Sequence, residues 1–470
     1  MVDRLDSTEQ TILHCLMFGE FSRFRDLERL DSYYEGEQRL QHLGLALPPE
    51  LQGFRVAVNV PRMAVDEPVR RQQLKAFQRS GSATADPVLR EAWEANNLPS
   101  QSMLLHRDAR VFARSFVTVS ESEELGGLPR IQVEDPRQFN VFVNPRTRKV
   151  EAAVRYFNSV AAGSWKTLFL PDQTIWLEDT AGNREVVVQR IQHNLGVVPV
   201  VGFINRPRAG RWDGRSEMAD VIGLTDSIAR MLTNLQVASE THAVPSRWVA
   251  GMSKGDFVDK EGKPIPVWEA YFTAIMMTAN KDAKFGQFNA SDLSNFHKSV
   301  DALLSYCAGV LGLPVRYFGQ NTANPAAEGA IRADESRLIA NVEAMNRVDG
   351  DSWCWVMGLY ERLRTGEWPA TNSIRAVWEN PATSTLSERA DAMMKLYSQG
   401  IISREGVWDE MGWDEARKDQ ERTYLAREAS DPVTERIMRG IGSGGVGVGA
   451  AAVDDAGADR GVGVAGAAQG

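Results

Sequence analysis

The chain has 470 residues, 43% of them hydrophobic, so it can bury a sizeable core and is long enough for about two to four domains or subdomains. Its 53 basic and 62 acidic side chains give a formal net charge of -9, which disfavours tight gripping of a phosphate backbone. No stretch approaches the roughly 18 apolar residues of a membrane span, and the first residues lack a signal-peptide pattern. We expect a globular protein that stays in the cytoplasm where it is made, and that handles DNA, if DNA is a partner, without tight binding.

The residue types that usually form catalytic, metal-binding or nucleotide-binding sites are scattered along the chain. Cys15, Cys307 and Cys354 are far apart, so they predict neither a disulfide framework nor a zinc site, and we expect them to be buried as small hydrophobic side chains. The six histidines form no metal-binding pair, and the chain contains no phosphate-binding GxxxxGK[ST] motif. A formal match to the dinucleotide fingerprint at residues 442–447 lacks the strand and the helix that the motif needs. We expect no catalytic residue, metal or cofactor, and therefore no enzyme.

The first two hundred residues change from helical to strand periodicity. Apolar residues recur at three- and four-residue steps over residues 8–43 and again over residues 89–113, which predicts helices. Between Ser115 and Phe203 the period falls towards two, in short Val-, Ile- and Phe-rich runs that are separated by turn residues. This pattern predicts a meander of short antiparallel strands.

Two helices separated by an irregular insertion are predicted next. Ser216 is a good N-cap for a helix that extends to about Glu240. Residues 242–290 contain many Gly and Pro residues and predict a loop-rich insertion. Ser291 and Asp292 then predict the cap of a second helix, which Pro314 ends.

A very long helix is expected in the last third of the chain. Asn324 and Pro325 form a helix start, and the apolar stripe that follows predicts about 40 residues of helix, with a bend at residues 349–351. After Trp368 the pattern indicates a small module with two helices, which ends near Arg436. The Gly- and Ala-rich tail beyond it is expected to stay disordered.

Two sets of side chains stand out as candidates for contacts with partners. The six tryptophans after residue 350 could stack on bases, but without interleaved Lys and Arg they favour a packing role. A basic cluster precedes the first long helix, and it can form salt bridges to a neighbouring subunit or contact DNA phosphates. Its members are Arg206, Arg208, Arg211 and Arg215.

This order of elements is similar to that of phage portal proteins, and several segments resemble the actinophage and SPP1-type portal family. The segments are LDSYYEGEQRL from Leu30, VNVPRMAVDEPVRR from Val58, WEANNLPSQSMLLHRDARVFARSFVTV from Trp93, DPRQFNVFVNPRTRKVEAAVRYF from Asp135, VPVVGFINRPR from Val198, DGRSEMADVIGLTDSIARML from Asp213 and LGLPVRYFGQNTANPAAEGAIRADESRL from Leu311. Their order along the chain is more telling than any single segment.

The resemblance implies an α+β, mainly helical portal fold. Its parts would be a wing of helices and antiparallel strands (1–210), a first stem helix (211–241), a clip (242–290), a second stem helix (291–313), a channel loop (314–326), a long helix (327–365), a helical crown (366–436) and the tail (437–470).

The resemblance also implies partners and sites. Portal proteins form homo-oligomeric rings, usually of twelve subunits, at one capsid vertex, through which double-stranded DNA is packaged and ejected. The implied partners are the terminase large subunit, the major capsid or scaffold protein and the head-to-tail connector, with assembly in the host cytoplasm and no membrane. The side chains expected to face DNA in the channel are Gln320, Asn321, Thr322 and Asn324, and those expected to contact partners of the clip are Lys254, Lys260, Lys263, Lys281 and Lys284.

Two alternatives remain open. Another phage structural protein, such as a minor capsid or head-completion component, would share the acidity but would not need two stem helices flanking a clip. A nuclease would need a cluster of carboxylates or histidines at a strand end, and the sequence shows no such motif.

Overall fold

The computed structural model describes residues 4–18, 20–38, 58–82, 84–122, 127–159, 163–180, 184–243, 247–251, 282, 284–287, 293–319, 328–382, 386–413 and 415–429. The chain divides into two compact units, Met1–Ala382 and Thr383–Gly470. The described helices of the first unit are α1 (Ser7–Met17), α2 (Glu20–Glu35), α3 (Val60–Arg70), α4 (Pro87–Ala95), α5 (Leu98–Phe112), α6 (Ile222–Ala243), α7 (Ser294–Leu311) and α8 (Glu328–Thr365).

All described strands belong to the first unit, and every described strand pairing is antiparallel. The strands are β1 (Leu74–Arg79), β2 (Arg114–Ser120), β3 (Arg130–Glu134), β4 (Phe139–Val143), β5 (Val150–Ser159), β6 (Gly163–Phe169), β7 (Gln173–Thr180), β8 (Arg184–Gln192), β9 (Val200–Ile204), β10 (Arg247–Ala250), β11 (Lys284–Gln287) and β12 (Ile374–Trp378). They form four sheets, ordered β4-β5-β6-β7-β8, β3-β2-β9, β1-β12 and β10-β11. The α+β prediction and the predicted meander between Ser115 and Phe203 are confirmed.

The five-stranded sheet is buried on one face by the N-terminal helix. Val154, Leu168 and Ile175 are register neighbours on three adjacent strands and are fully buried. Leu13 and Leu16 of α1 belong to the same apolar cluster. Alternation along each strand places these residues on a single face, so α1 contributes the second layer of this core.

The main core lies where α5 and α8 pack against the three-stranded sheet. Trp353 of α8 is fully buried, with its ring centroid 4.8 Å from that of Trp93 and 5.0 Å from that of Phe203. Its indole N–H donates a hydrogen bond of 3.0 Å to His106 of α5. A packing role therefore accounts for this tryptophan, whereas Trp355 and Trp368 stack on each other at the surface.

Helices α6 and α7 pack against each other through a shared apolar cluster that includes Ile228, Val300 and Cys307. Ser216 caps a short 3-10 turn, Glu217–Asp220, and α6 begins only after that turn, so the predicted helix start was too early. The predicted cap of the second helix at residues 291–292 lies outside the described residues.

Helix α8 contains 38 residues, a length of about 57 Å. It is helical through residues 349–351, where the sequence predicted a bend. Gly350 serves close packing at this point: a Cβ atom there would lie 3.1 Å from the indole nitrogen of Trp378 in β12. The glycine lets the β1-β12 pair approach the helix.

Five described elements of the first unit were not predicted: α3, β1, β12, and the strands β10 and β11 within the expected loop-rich insertion. Asn59 caps α3 by accepting from the backbone N–H of Arg62 at 3.1 Å. Strand β12 pairs with β1, although the sequence placed residues 366–436 in a helical module. The expectation that all three cysteines are buried was wrong for Cys15, which is exposed; Cys307 is buried and Cys354 is half-buried.

The second unit contains three described helices, α9 (Leu386–Ser398), α10 (Arg404–Glu410) and α11 (Glu415–Ala429), one more than predicted. Ser403 caps α10 by accepting from the N–H of Gly406 at 3.1 Å. The rings of Trp408 and Trp413 stack with centroids 5.8 Å apart. The Gly- and Ala-rich tail lies outside the described residues.

Candidate functional site

The four clustered arginines lie on one loop between β9 and the 3-10 turn that leads into α6. We call residues 205–216 the arginine loop. Asn205, 1% exposed, closes its base by donating to the carbonyl of Arg215 at 2.8 Å and to the Glu217 carboxylate at 3.0 Å. Its side-chain oxygen accepts from Arg110 of α5 at 2.9 Å. The base of the loop is therefore fixed to the core.

The end of the arginine loop that leads into the 3-10 turn depends on a glycine. Gly214 has φ +67°, and a Cβ atom there would lie 2.6 Å from the carbonyl oxygen of Asn205 and closer still to that of Ala113. Beside it, Arg114 donates to Asp213 at 2.6 Å. Only glycine fits this backbone approach, so the sequence Asp213-Gly214 holds the loop against the end of α5.

The loop divides its arginines into two pairs. Arg206 and Arg215 both form ion pairs with Asp220 in the 3-10 turn, the first at 2.7 Å. Burial alone would lower the pKa of Arg206, but the hydrogen bond to Asp220 and the charges of Glu217 and Asp220 raise it. Arg206 and Arg215 thus stabilise the start of the helix.

Arg208 and Arg211 form the exposed tip of the arginine loop. Their backbones make an antiparallel bridge across a turn in which Gly210 has φ +85°. Both residues are exposed, and neither makes an ion pair within the described part of the chain. The tip therefore presents two guanidinium groups to solvent on a fixed base.

A buried charge cluster lies directly beneath the loop. Arg110 of α5 pairs with Asp349 of α8, and both side chains are 1% exposed. The amide of Gln72 donates to Asp349 at 3.0 Å and to Asn346 at 3.2 Å. Nearby His106 is fully buried, and burial, opposed by Asp349, lowers its pKa to about 4. One weak signal of this cluster is visible in the sequence, where charged residues interrupt the apolar stripes of the two helices.

A second polar site opens between α2, α3 and α5. This cavity has a volume of about 450 Å³, and we call it the acidic cavity because its carboxylates outnumber its guanidiniums. It is lined by Asp31, Tyr34, Glu35, Arg62, Asp66, Arg107, Asp108, Val111, Phe112 and Arg137. Nothing in the spacing of these residues indicated that they come together.

The remaining predicted site residues are mostly outside the described residues. This holds for the four channel-loop residues Gln320, Asn321, Thr322 and Asn324, and for Lys254, Lys260, Lys263 and Lys281 of the predicted clip. Lys284 is described: it is exposed on β11, opposite Ala250 of β10. Its predicted contact with a partner stays a prediction.

In the part of the chain that the structure describes, no group of three or more His, Cys, Asp or Glu side chains is arranged to hold a metal ion. None of the helices there is long and apolar enough to cross a membrane.

Comparison with known proteins gives the family. Residues 19–432 match the family model described as phage portal protein, SPP1 Gp6-like. Two curated proteins, each named portal protein, from Mycobacterium phages L5 and D29, are 34% identical to the chain over 425 residues, covering 86% of the chain and 86% of each relative. The chain belongs to the SPP1-type phage portal protein family, whose members are structural components of the virion.

Two solved structures to which the chain is similar come from gene transfer agent particles. One, of the virion of a native particle, has a TM-score of 0.48 at 13% identity and covers 83% of this chain and 94% of its own. A second, of the neck of a native particle computed with C12 symmetry, has a TM-score of 0.46 at 12% identity with the same coverage.

Proposed function

We propose that this chain forms the ring at one capsid vertex through which double-stranded DNA is packaged and ejected. The observation that carries the proposal is the 34% identity to two proteins named portal protein, maintained over 86% of both chains. The ring is a homo-oligomer of about twelve copies that docks the terminase large subunit and later the head-to-tail connector. It is embedded among major capsid or scaffold protein.

The parts of the chain are assigned to the ring as follows. Residues 1–210 form the wing, 211–241 and 291–313 the stem helices, 242–290 the clip, 314–326 the channel loop, 327–365 the long helix and 366–436 the crown. Packing of α6 against α7 supports the paired stem, and the 38-residue α8 supports the long helix. In addition, β12 ties residues 374–378 to β1, so the start of the crown range packs with the wing.

DNA passes the channel by weak contacts. The net charge of -9 repels the phosphate backbone, and this repulsion disfavours stable binding in the channel. Gln320, Asn321, Thr322 and Asn324 offer uncharged hydrogen-bonding groups, which release no counterions when they contact phosphates and therefore hold them only weakly. The clip lysines, including exposed Lys284, contact terminase or connector.

The channel assignment is tested in an assembled particle. Alanine replaces the four residues Gln320, Asn321, Thr322 and Asn324 together, and packaged DNA per particle is measured. We expect rings of normal symmetry with reduced packaging. Normal packaging by that variant contradicts the channel assignment, and Gln132→Ala, an exposed position on β3 to which no contact is assigned, serves as the control outside the loop.

The chain acts as a structural protein and not as a nuclease. Purified protein incubated with linear double-stranded DNA and Mg²⁺ is expected to leave the DNA intact. Cleavage that a chelator abolishes contradicts this part of the proposal.

A further inference from the structure

The acidic cavity contains one carboxyl group more than its arginines neutralise. Arg62 pairs with Glu35 at 2.6 Å, Arg107 with Asp66 at 3.6 Å and Arg137 with Asp31 at 3.0 Å. Asp108, on the cavity wall, has no ion pair or hydrogen bond among the described residues. The cavity of a single copy therefore lacks a cation.

The absence of a further cation is reflected in the pKa of Asp108. Burial raises the pKa of Asp108 to about 7, and the nearby carboxylates of Asp135 and Asp31 add to the rise. The guanidiniums of Arg137 and Arg107 oppose it without compensating. A further guanidinium in this cavity would relieve a repulsion that the isolated chain retains.

Two buried donors of the cavity also lack an acceptor within hydrogen-bond distance among the described residues. They are the Nε atoms of Arg62 and Arg107, the latter lying 3.6 Å from the Asp66 carboxylate with which it forms its ion pair. A peptide loop that carries an arginine suits such a cavity, because its guanidinium donates to the carboxyl group of Asp108 while its main-chain carbonyls offer acceptors to the arginines of the wall.

The same chain presents such a loop elsewhere on its surface. The arginine loop holds Arg208 and Arg211 at an exposed tip without ion pairs within the described residues, and its base is fixed by Asn205 and Gly214. A fixed base matters because a preorganised loop loses little conformational entropy when it docks.

We propose that the arginine loop of one subunit docks into the acidic cavity of the next, with Arg208 or Arg211 pairing with Asp108. The inference rests on the proposed ring and identifies one of its subunit contacts. Loop and cavity are made of different residues of the chain, so the contact is heterologous, the kind that closes into a ring when each copy offers both partners of the contact. In the ring the tip arginines contact protein and not DNA.

Cross-linking tests the contact directly in the full chain. Exposed Cys15 and half-buried Cys354 are first replaced by serine and alanine, and cysteines are then placed at the tip, Arg208→Cys, and at the exposed rim of the cavity, Glu35→Cys. With a short bis-maleimide, the chain that carries both cysteines is expected to give a ladder of covalent oligomers. An equal mixture of the two single variants is expected to stop at dimers, because each chain then offers one reactive surface.

Charge reversal provides a second measurement. The variant with Arg208→Glu and Arg211→Glu is expected to need roughly tenfold or more protein for half-maximal ring formation, since each tip then meets the cavity with like charge. The variant with Arg208→Lys and Arg211→Lys keeps the charge and should assemble within a few-fold of the unaltered chain. Circular dichroism of each variant establishes that it is folded.

The two proposals fail in different ways. If the unaltered chain forms rings, and neither cross-linking nor charge reversal affects it as stated, the docking contact is wrong and the portal function stands. If the unaltered chain forms no rings even with its capsid and scaffold proteins, the proposed function itself is wrong.

Discussion

Arg110 and Asp349 form an ion pair that is buried to 1% exposure on both sides and joins α5 to the middle of the 38-residue α8. Arg110 also donates to Asn205 at the base of the arginine loop. One guanidinium thus holds the longest described helix and the surface loop in fixed relation. The tip of the loop is exposed to solvent, but its base belongs to the core.

Removing Asp349 should be costly, because it leaves the buried Arg110 without a counter-charge. We expect Asp349→Ala to lower the free energy of unfolding by about 3–5 kcal/mol. Asp351→Ala, two residues along the same helix and exposed, should change it by less than about 0.5 kcal/mol. Urea denaturation followed by circular dichroism measures both. Equal effects would mean that the buried pair contributes no more than a surface charge.

Gly214 and Gly210 provide a matched comparison within the arginine loop. Both have positive φ, but a Cβ atom at Gly210 meets nothing within 4 Å, whereas one at Gly214 collides with two backbone carbonyls. We expect Gly210→Ala to cost about 1 kcal/mol through backbone strain alone. Gly214→Ala should cost about 2–4 kcal/mol, because overpacking is added to the strain. Thermal unfolding measures both variants, and similar melting temperatures would contradict the close approach.

The raised pKa of Asp108 predicts a pH dependence in the unassembled chain. Its pKa is about 7 in the folded state, against 3.8 for an ordinary aspartate, so the folded chain holds this proton more tightly than the unfolded chain. The contribution of Asp108 to stability is complete at low pH and is lost as pH rises from about 4 to 7.

The variant Asp108→Asn removes that loss. Its stability relative to the unaltered chain should increase between pH 4 and pH 7, by a few kcal/mol at most, and stay constant above pH 7. Denaturant titrations at several pH values measure the difference. A difference that does not change with pH would show that Asp108 is ionised like a surface carboxylate.

The hydrogen bond between Trp353 and His106 predicts a contrast between two tryptophans of α8. Trp353→Phe keeps most of the apolar surface but leaves the buried His106 nitrogen without its donor, which should cost about 1–3 kcal/mol. Trp355→Phe changes an exposed ring stacked on Trp368 and should cost less than about 1 kcal/mol. Chemical denaturation distinguishes them, and an equal loss would contradict a specific role for the bond.

The sequence predicted those strands and helices whose buried face produces a regular spacing of apolar residues along the chain. In the five-stranded sheet, buried residues such as Ile175 and Leu177 of β7 recur at every second position on the face that α1 covers, and that alternation is visible in the sequence. The stripe of α8 is visible for the same reason. The role of Ser216 as a cap was also predicted, although it caps a 3-10 turn and not α6 itself.

Non-local contacts explain what the sequence could not predict. Strands β1 and β12 are short and lie about three hundred residues apart, and each acquires its partner only in the folded chain. The pairing of Arg110 with Asp349 also depends on non-local contacts, as does the assembly of the acidic cavity from three helices and the turn before β4. A charged residue that interrupts the apolar stripe of a helix gives the same sequence pattern whether its side chain faces solvent or a buried partner.

Electron microscopy of the purified full chain, with native mass spectrometry of the same sample, tests the central proposal most directly. We expect rings with a central channel and a mass of about twelve 52.1 kDa subunits. A chain that remains monomeric or forms only compact dimers, alone and when co-expressed with its capsid and scaffold proteins, would contradict the portal function and favour a minor capsid or head-completion role.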